Sequence, residues 1–179
     1  MFYEYDSADH EEQATALLAE LGKCVVSFER VCAGMRNCIY TVSRKEGRNH
    51  DQCQKDLHRK TAGPLREKLG EVFKQLSDRD DEDRKCVTTL LSRIKTLTDE
   101  RNCFLHSEWH LNFDYENADE DFHALALKDL LPISIDKEAL CNHIREATEI
   151  QVLLHRLAIC LNQKRFKLSE MFERPVSCA

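Results

Sequence analysis

Glycine, proline and long apolar runs are all scarce in this sequence. Five glycines and three prolines among 179 residues, with 32% charged residues, favour helices over a many-stranded sheet. No apolar run approaches the ~20 residues that a membrane-spanning helix needs. The first six residues are acidic rather than basic, unlike a secretory signal. We therefore expect a cytoplasmic protein without a membrane partner.

Nine cysteines are present, but none forms a C-x-x-C pair. Several fall on apolar helix positions, as Cys32 does, so we interpret them as reduced, buried side chains rather than as a disulfide framework. The net charge of −6 argues against general coating of nucleic acid. It does not exclude a cleft that cleaves RNA, because substrate binding in a cleft depends on the local electrostatic field rather than on the net charge of the chain.

Apolar residues recur at steps of three and four along most of the chain, which indicates amphipathic helices. The first helix has a seam of Leu18, Leu21, Val25, Phe28, Cys32, Met35, Ile39 and Val42. Further helices are predicted over about 65–76, 82–104 and 140–161, with short segments around 53–59 and 168–172. An acidic loop over 77–83 and Asp136 are suited to cap the helices that follow them.

The period changes to two after the third long helix. Residues 109–115 alternate apolar and polar side chains, 117–121 resemble a turn, and 122–128 form a plausible return strand. Pro132 is expected to end the strand pattern that precedes it. We thus expect a β-hairpin over about 108–128. The predicted fold is mainly all-α: one domain over 1–179, an up-and-down bundle of about four helices with this hairpin to one side, and a short tail from about 165.

The end of the third long helix breaks its own pattern. After Val87, Leu90, Leu91, Ile94 and Leu97, the next apolar slot falls on Arg101, and a charge at such a slot is typical of a functional site. Asn102 and His106 are four residues apart and share a helix face. Arg101 and His106 are about 140° apart around a helix, so we expect them to flank a groove rather than touch.

The run Arg101-Asn102-x-x-x-His106 resembles the R-x4-6-H signature of the HEPN superfamily, whose members are small helical bundles. The resemblance implies metal-independent cleavage of RNA, without a cofactor, in toxin–antitoxin or antiphage defence. It makes Arg101, Asn102 and His106 the catalytic residues. One copy supplies a single histidine, so it also implies a homodimer with a composite cleft. An antitoxin or another regulatory protein is an expected partner. Glu108 replaces the tyrosine of members that a nucleotidyltransferase inactivates, which puts that mode of control in doubt.

Two other interpretations compete with an enzyme. In a non-catalytic module that binds a protein or nucleotide partner, Arg101 would pair with a carboxylate of another helix and His106 would cap its own helix. Cys103, His106 and His110 would share a face as zinc ligands if the helix continued, but the strand pattern from about Trp109 argues against that.

Three further sequence features give weaker signals than the motif. Between Arg44 and Lys68 there are eight Lys or Arg against four Asp or Glu, and a solvated surface is favoured over an RNA contact. Arg36-Asn37-Cys38 repeats the start of the motif without a following histidine, which we take as coincidence. His143, on the fourth apolar seam, is expected to be an interior or surface histidine rather than a ligand.

Overall fold

The computed structural model describes residues 8–76, 79–106, 108–112, 123–128, 131–135, 137–163 and 167–173. In these ranges the chain is mostly helical, as predicted. It forms α1 (Ala8–Lys45), α2 (His50–His58), α3 (Ala62–Lys74), α4 (Asp81–His106), β1 (Glu108–Asn112), β2 (His123–Lys128), β3 (Leu131–Ile135), α5 (Lys137–Asn162) and α6 (Leu168–Phe172).

The prediction of about four helices is corrected to six in the described part of the chain. The two additional helices, α2 and α6, lie where the residue pattern predicts only short helical segments. Each is short enough to depend on packing, because isolated helices below about 12 residues are marginal in water. Leu57 of α2 and Leu168 of α6 are buried in the main core, which supplies that packing.

Side-chain caps account for the starts of two helices. Asn49 accepts hydrogen bonds from the backbone N–H groups of Asp51 and Gln52 and so caps α2. The Oδ1 atom of Asp80 accepts a hydrogen bond from the backbone N–H of Asp83 at 2.8 Å, which confirms the acidic cap predicted before α4. Asp136, the predicted cap of α5, lies outside the described residues.

The long helices α1 and α5 pack against each other more extensively than any other pair of helices. α3 also packs against α1, so part of α1 is covered on two sides. Gly34 lies at the crossing: a Cβ added there would be 3.0 Å from Cδ1 of Leu154 on α5. A side chain at position 34 would therefore hold the two helices apart.

The predicted seam of α1 is wrong in its first turns. Leu18 is 50% exposed, whereas Ala14, Leu17 and Cys24 are buried. Two patterns with steps of three and four run along α1 and share Leu21 and Phe28. In the first turns, the pattern that includes Leu17 is the buried one. Farther along, both patterns are buried because helices cover both sides.

A buried ion pair joins the start of α4 to the C-terminal part of the bundle. Arg79 Nη1 donates to Asp83 Oδ2 at 3.2 Å, and Nη2 donates to the carbonyl oxygen of Cys160 at 2.6 Å. Asp83 Oδ1 accepts a hydrogen bond from the backbone N–H of Leu168 at 2.8 Å. Both side chains of the pair are about 5% exposed or less, so this network fixes α6 and the end of α5 onto α4.

The strands form a three-stranded antiparallel sheet in the order β1-β2-β3, rather than the predicted two-stranded hairpin. Glu108 pairs with Leu127 in one ladder, and Lys128 pairs with Leu131 in the other. Pro132 lies within β3 instead of ending the strand pattern. Because β3 is an edge strand of this sheet, a residue without a backbone N–H is tolerated there. Residues 113–122 of the predicted hairpin lie outside the described part.

A second, smaller apolar cluster lies beside the end of α4. Leu17 and Cys24 of α1, Phe104 of α4 and Leu140 of α5 are buried together there, separately from the main core. Through Phe104, the last turns of α4 thus pack against α1 and α5. The orientation of the turns that carry the R-N-x-x-x-H motif depends on this cluster.

Candidate functional site

The motif residues of α4 open into one cleft. Arg101, Asn102 and His106 all line a cavity of about 650 Å³. Its other walls come from α1 around Phe28 and from the connector between α2 and α3. Asn102 and His106 are exposed, and Arg101 is half-buried. The structure therefore brings all three predicted site residues together.

Arg101 lies flat against α1 instead of extending into solvent. Its Cζ atom is 5.5 Å from the centre of the Phe28 ring, which is within the range of a cation–π contact. Its Nε is buried without a hydrogen-bond partner. No carboxylate of the described residues forms an ion pair with it. Arg101 thus occupies the apolar position that the spacing predicts, and its guanidinium has no ion-pair partner among the described residues.

The motif residues also touch one another. Arg101 Nη1 donates to Asn102 Oδ1 at 3.2 Å and lies 3.4 Å from His106 Nε2. The prediction that Arg101 and His106 only flank a groove is therefore wrong. The long arginine side chain spans the separation that the helix geometry imposes. Nε2 can accept this hydrogen bond only in the tautomer that carries no proton on Nε2.

His143 lies directly behind this surface. It is 1% exposed, and its ring is stacked 6.5 Å from Phe28 and edge-on 5.3 Å from Phe104. Its Nδ1 is 3.1 Å from Oε2 of Glu100. Burial lowers the pKa of His143, although the neighbouring Glu100 acts in the opposite direction. This confirms His143 as an interior histidine, and it supports the ring on which Arg101 rests.

Positive charge dominates the cleft. Its lining includes two carboxylates, Glu29 and Asp99, and six cations, which are Arg36, Arg59, Lys60, Arg66, Lys95 and Arg101. The whole chain, by contrast, carries a net charge of −6. A concave surface with an excess of one sign concentrates ligands of the opposite sign. The cleft is therefore suited to a polyanion.

Part of this charge comes from the basic stretch that the sequence favoured as solvated surface. Arg59, Lys60 and Arg66 line the cleft, although others such as Arg44 and Lys55 do not. Arg36, from the Arg36-Asn37-Cys38 run that repeats the start of the motif, also lines it. A three-residue resemblance to the motif was the only sequence signal at Arg36, and Asn37 lies at a different cavity.

Two other chemistries find less support at this site. Cys32 lines the cleft, but burial raises the pKa of its thiol to about 11, which disfavours the nucleophilic thiolate. Of the three residues considered as zinc ligands, Cys103 and His106 are on α4, but His110 is on β1. No group of three or more metal-ligating side chains is found among the described residues.

Within the described ranges, every helix is too short or too polar to cross a bilayer. Comparisons of the chain with models of known protein families, with curated proteins and with solved structures find no match.

Proposed function

We propose that this protein is a metal-independent endoribonuclease of HEPN type. One observation carries the proposal: Arg101, Asn102 and His106 meet in a cleft with six cations against two carboxylates, in a chain of negative net charge. RNA is a substrate whose backbone such a cleft attracts, since phosphate contacts from Lys and Arg supply most sequence-independent affinity.

The motif residues have the chemistry that this reaction needs. A base removes the proton from the ribose 2′-hydroxyl, the 2′-oxygen bonds to phosphorus, and an acid protonates the departing 5′-oxygen. His106 is suited to one of the two proton transfers, because histidine exchanges protons near neutral pH. The guanidinium of Arg101 stabilises the charge that builds on the phosphate. Asn102 holds Nη1 of Arg101 in place.

His106 alone cannot be both acid and base in one step, so a second proton-transfer group is required. One source is His106 of a second copy, as in the composite cleft that the resemblance implies. Such pairing needs a surface, and α1 offers exposed apolar side chains at Leu18 and Val26. Glu29, which lies nearly one turn beyond Val26, lines the cleft. The same surface could also bind an antitoxin or another regulatory protein in a defence system.

An RNA-cleavage assay in excess EDTA tests the proposal. Wild type is compared with Arg101→Ala and His106→Ala. Arg145→Ala and His155→Ala are matched controls, because both residues are exposed and lie outside the cleft. Loss of a proton-transfer residue lowers the rate by about 10²- to 10⁴-fold, so we expect cleavage by wild type and both controls but not by the two site variants. Equal cleavage by all five proteins would overturn the proposal, as would cleavage abolished by EDTA.

The exposed α1 surface favours one alternative, a non-catalytic module that binds a partner protein. In that case, purified wild type does not cleave RNA, and Leu18→Glu with Val26→Glu abolishes partner capture while Arg101→Ala leaves it intact. If the protein is the proposed nuclease, wild type cleaves RNA and Arg101→Ala does not.

A further inference from the structure

A second histidine lines the same cleft as His106 within one chain. His58 is the last residue of α2, is exposed, and lines this cleft. The sequence places it 48 residues before His106, in a polar segment where no pattern sets it apart. Only the fold brings the two imidazoles to one cavity.

The backbone on both sides of His58 is held in place. Leu57 is 3% exposed and belongs to the main core. Arg36 of α1 reaches the connector: its Nε donates to the carbonyl oxygen of Leu57 and its Nη2 to that of Lys60, both at 3.4 Å. The other end of α2 is capped by Asn49. His58 is therefore presented to the cleft from a backbone that α1 anchors on both sides.

We propose that His58 and His106 form the acid–base pair of RNA cleavage, so that one chain carries a complete site. This inference rests on the proposed function and replaces a second copy as the source of the second imidazole. One neutral imidazole takes the proton of the ribose 2′-hydroxyl as the 2′-oxygen bonds to phosphorus. The P–O5′ bond breaks, and the other imidazole, protonated, gives its proton to the 5′-oxygen. The products are a 2′,3′-cyclic phosphate and a 5′-hydroxyl.

The surroundings of the two histidines fit this division. Arg101 touches His106, and Arg36, Arg59 and Lys60 lie on the side of His58. A phosphodiester bound in the cleft would therefore find cations near both histidines. Neither of the other histidines with described side chains can serve, because His143 is sealed in the interior and His155 lines a different cavity.

The first test is the effect of His58→Ala on the pH profile of kcat/KM, measured in excess EDTA with His155→Ala as the matched control. Wild type should give a bell-shaped profile, since one histidine must be neutral and the other protonated. His58→Ala should lower kcat/KM by about 10²-fold or more and remove one limb of the bell. A uniform decrease that leaves the bell shape unchanged would overturn the proposal.

A substrate with sulfur in place of the bridging 5′-oxygen assigns the roles. A thiolate leaves without help from an acid, so this substrate should restore cleavage in whichever of His58→Ala and His106→Ala has lost the acid. The variant that has lost the base should stay inactive. Failure to restore either variant, or equal restoration of both, would contradict an acid–base pair.

Mixing the two variants tests whether one chain suffices. If each chain uses its own pair, a mixture of His58→Ala and His106→Ala stays inactive; recovery of activity would show that two copies share a site and would overturn this part of the proposal. The outcomes also separate the two proposals. Wild-type cleavage that requires His106 but not His58 removes only the role of His58, whereas absence of metal-independent cleavage by wild type removes the proposed function itself.

Discussion

Replacement of Gly34 by alanine should test how closely α1 and α5 pack. An added Cβ would be 3.0 Å from Cδ1 and 3.1 Å from Cβ of Leu154. Because Leu154 is fully buried and its Cβ is fixed to the helix backbone, it cannot move aside easily. Overpacking of this kind costs about 1–3 kcal/mol. Alanine regains about 1 kcal/mol over glycine inside a helix, so we expect a net loss of about 0–2 kcal/mol in the free energy of unfolding.

Gly22 provides the matched control on the same helix. A Cβ there would meet nothing within 4 Å, so Gly22→Ala should give only the gain of about 1 kcal/mol from helix propensity. The difference between the two variants isolates the packing term of about 1–3 kcal/mol. Far-UV circular dichroism during urea unfolding measures it, and Tm should differ by about 2–4 °C for each kcal/mol in a chain of this size. If Gly34→Ala is as stable as Gly22→Ala, the close approach of the two helices is refuted.

Three further predictions concern buried polar groups. Asp83→Ala removes a carboxylate that pairs with the buried Arg79 and should lower the free energy of unfolding by about 3–5 kcal/mol, measured by urea unfolding. His143 has a lowered pKa, so it stabilises the fold fully above the usual histidine range and progressively less as pH falls below about 6.5; unfolding of His143→Phe should show a weaker decline with acid. Burial raises the pKa of Cys38 to about 12, so alkylation of native protein should label the exposed Cys141 and spare Cys38.

Each of these predictions has a control or an opposing outcome. Glu71→Ala removes an exposed pair with Lys68 and should cost less than about 1 kcal/mol, so a similar loss for Asp83→Ala would contradict the buried network. An unchanged acid dependence in His143→Phe would remove the role of His143. Labelling of Cys38 before denaturation, detected by mass spectrometry, would contradict its burial between α1 and α5.

The helices and the motif were predictable because their signals are local. The three-and-four spacing of Val87, Leu90, Ile94 and Leu97 continues until Phe104, and the change to period two then marks the end of α4 near His106. Burial in the structure follows that spacing at each of these residues. The position of Arg101 in an apolar slot was visible for the same reason.

Other features depend on tertiary contacts that a single sequence does not encode locally. Two apolar patterns on α1 were equally regular, and only the neighbouring helices decide that Leu17 is buried and Leu18 exposed. The strand around Pro132 was missed because proline usually ends a ladder, whereas an edge strand tolerates it. His58 was predictable only as part of the basic stretch between Arg44 and Lys68, because an exposed histidine at the end of a short polar helix acquires a role only from the residues that share its cleft.

The small cluster of Leu17, Cys24, Phe104 and Leu140 has a consequence for how the protein loses activity. Because few apolar side chains secure this end of the bundle, its opening should need less free energy than global unfolding. Backbone amides near Phe104 should then exchange with deuterium faster than those near Ile94 in the main core. On warming, we expect the motif to lose its alignment while most of the helical signal persists, so thermal inactivation should precede melting.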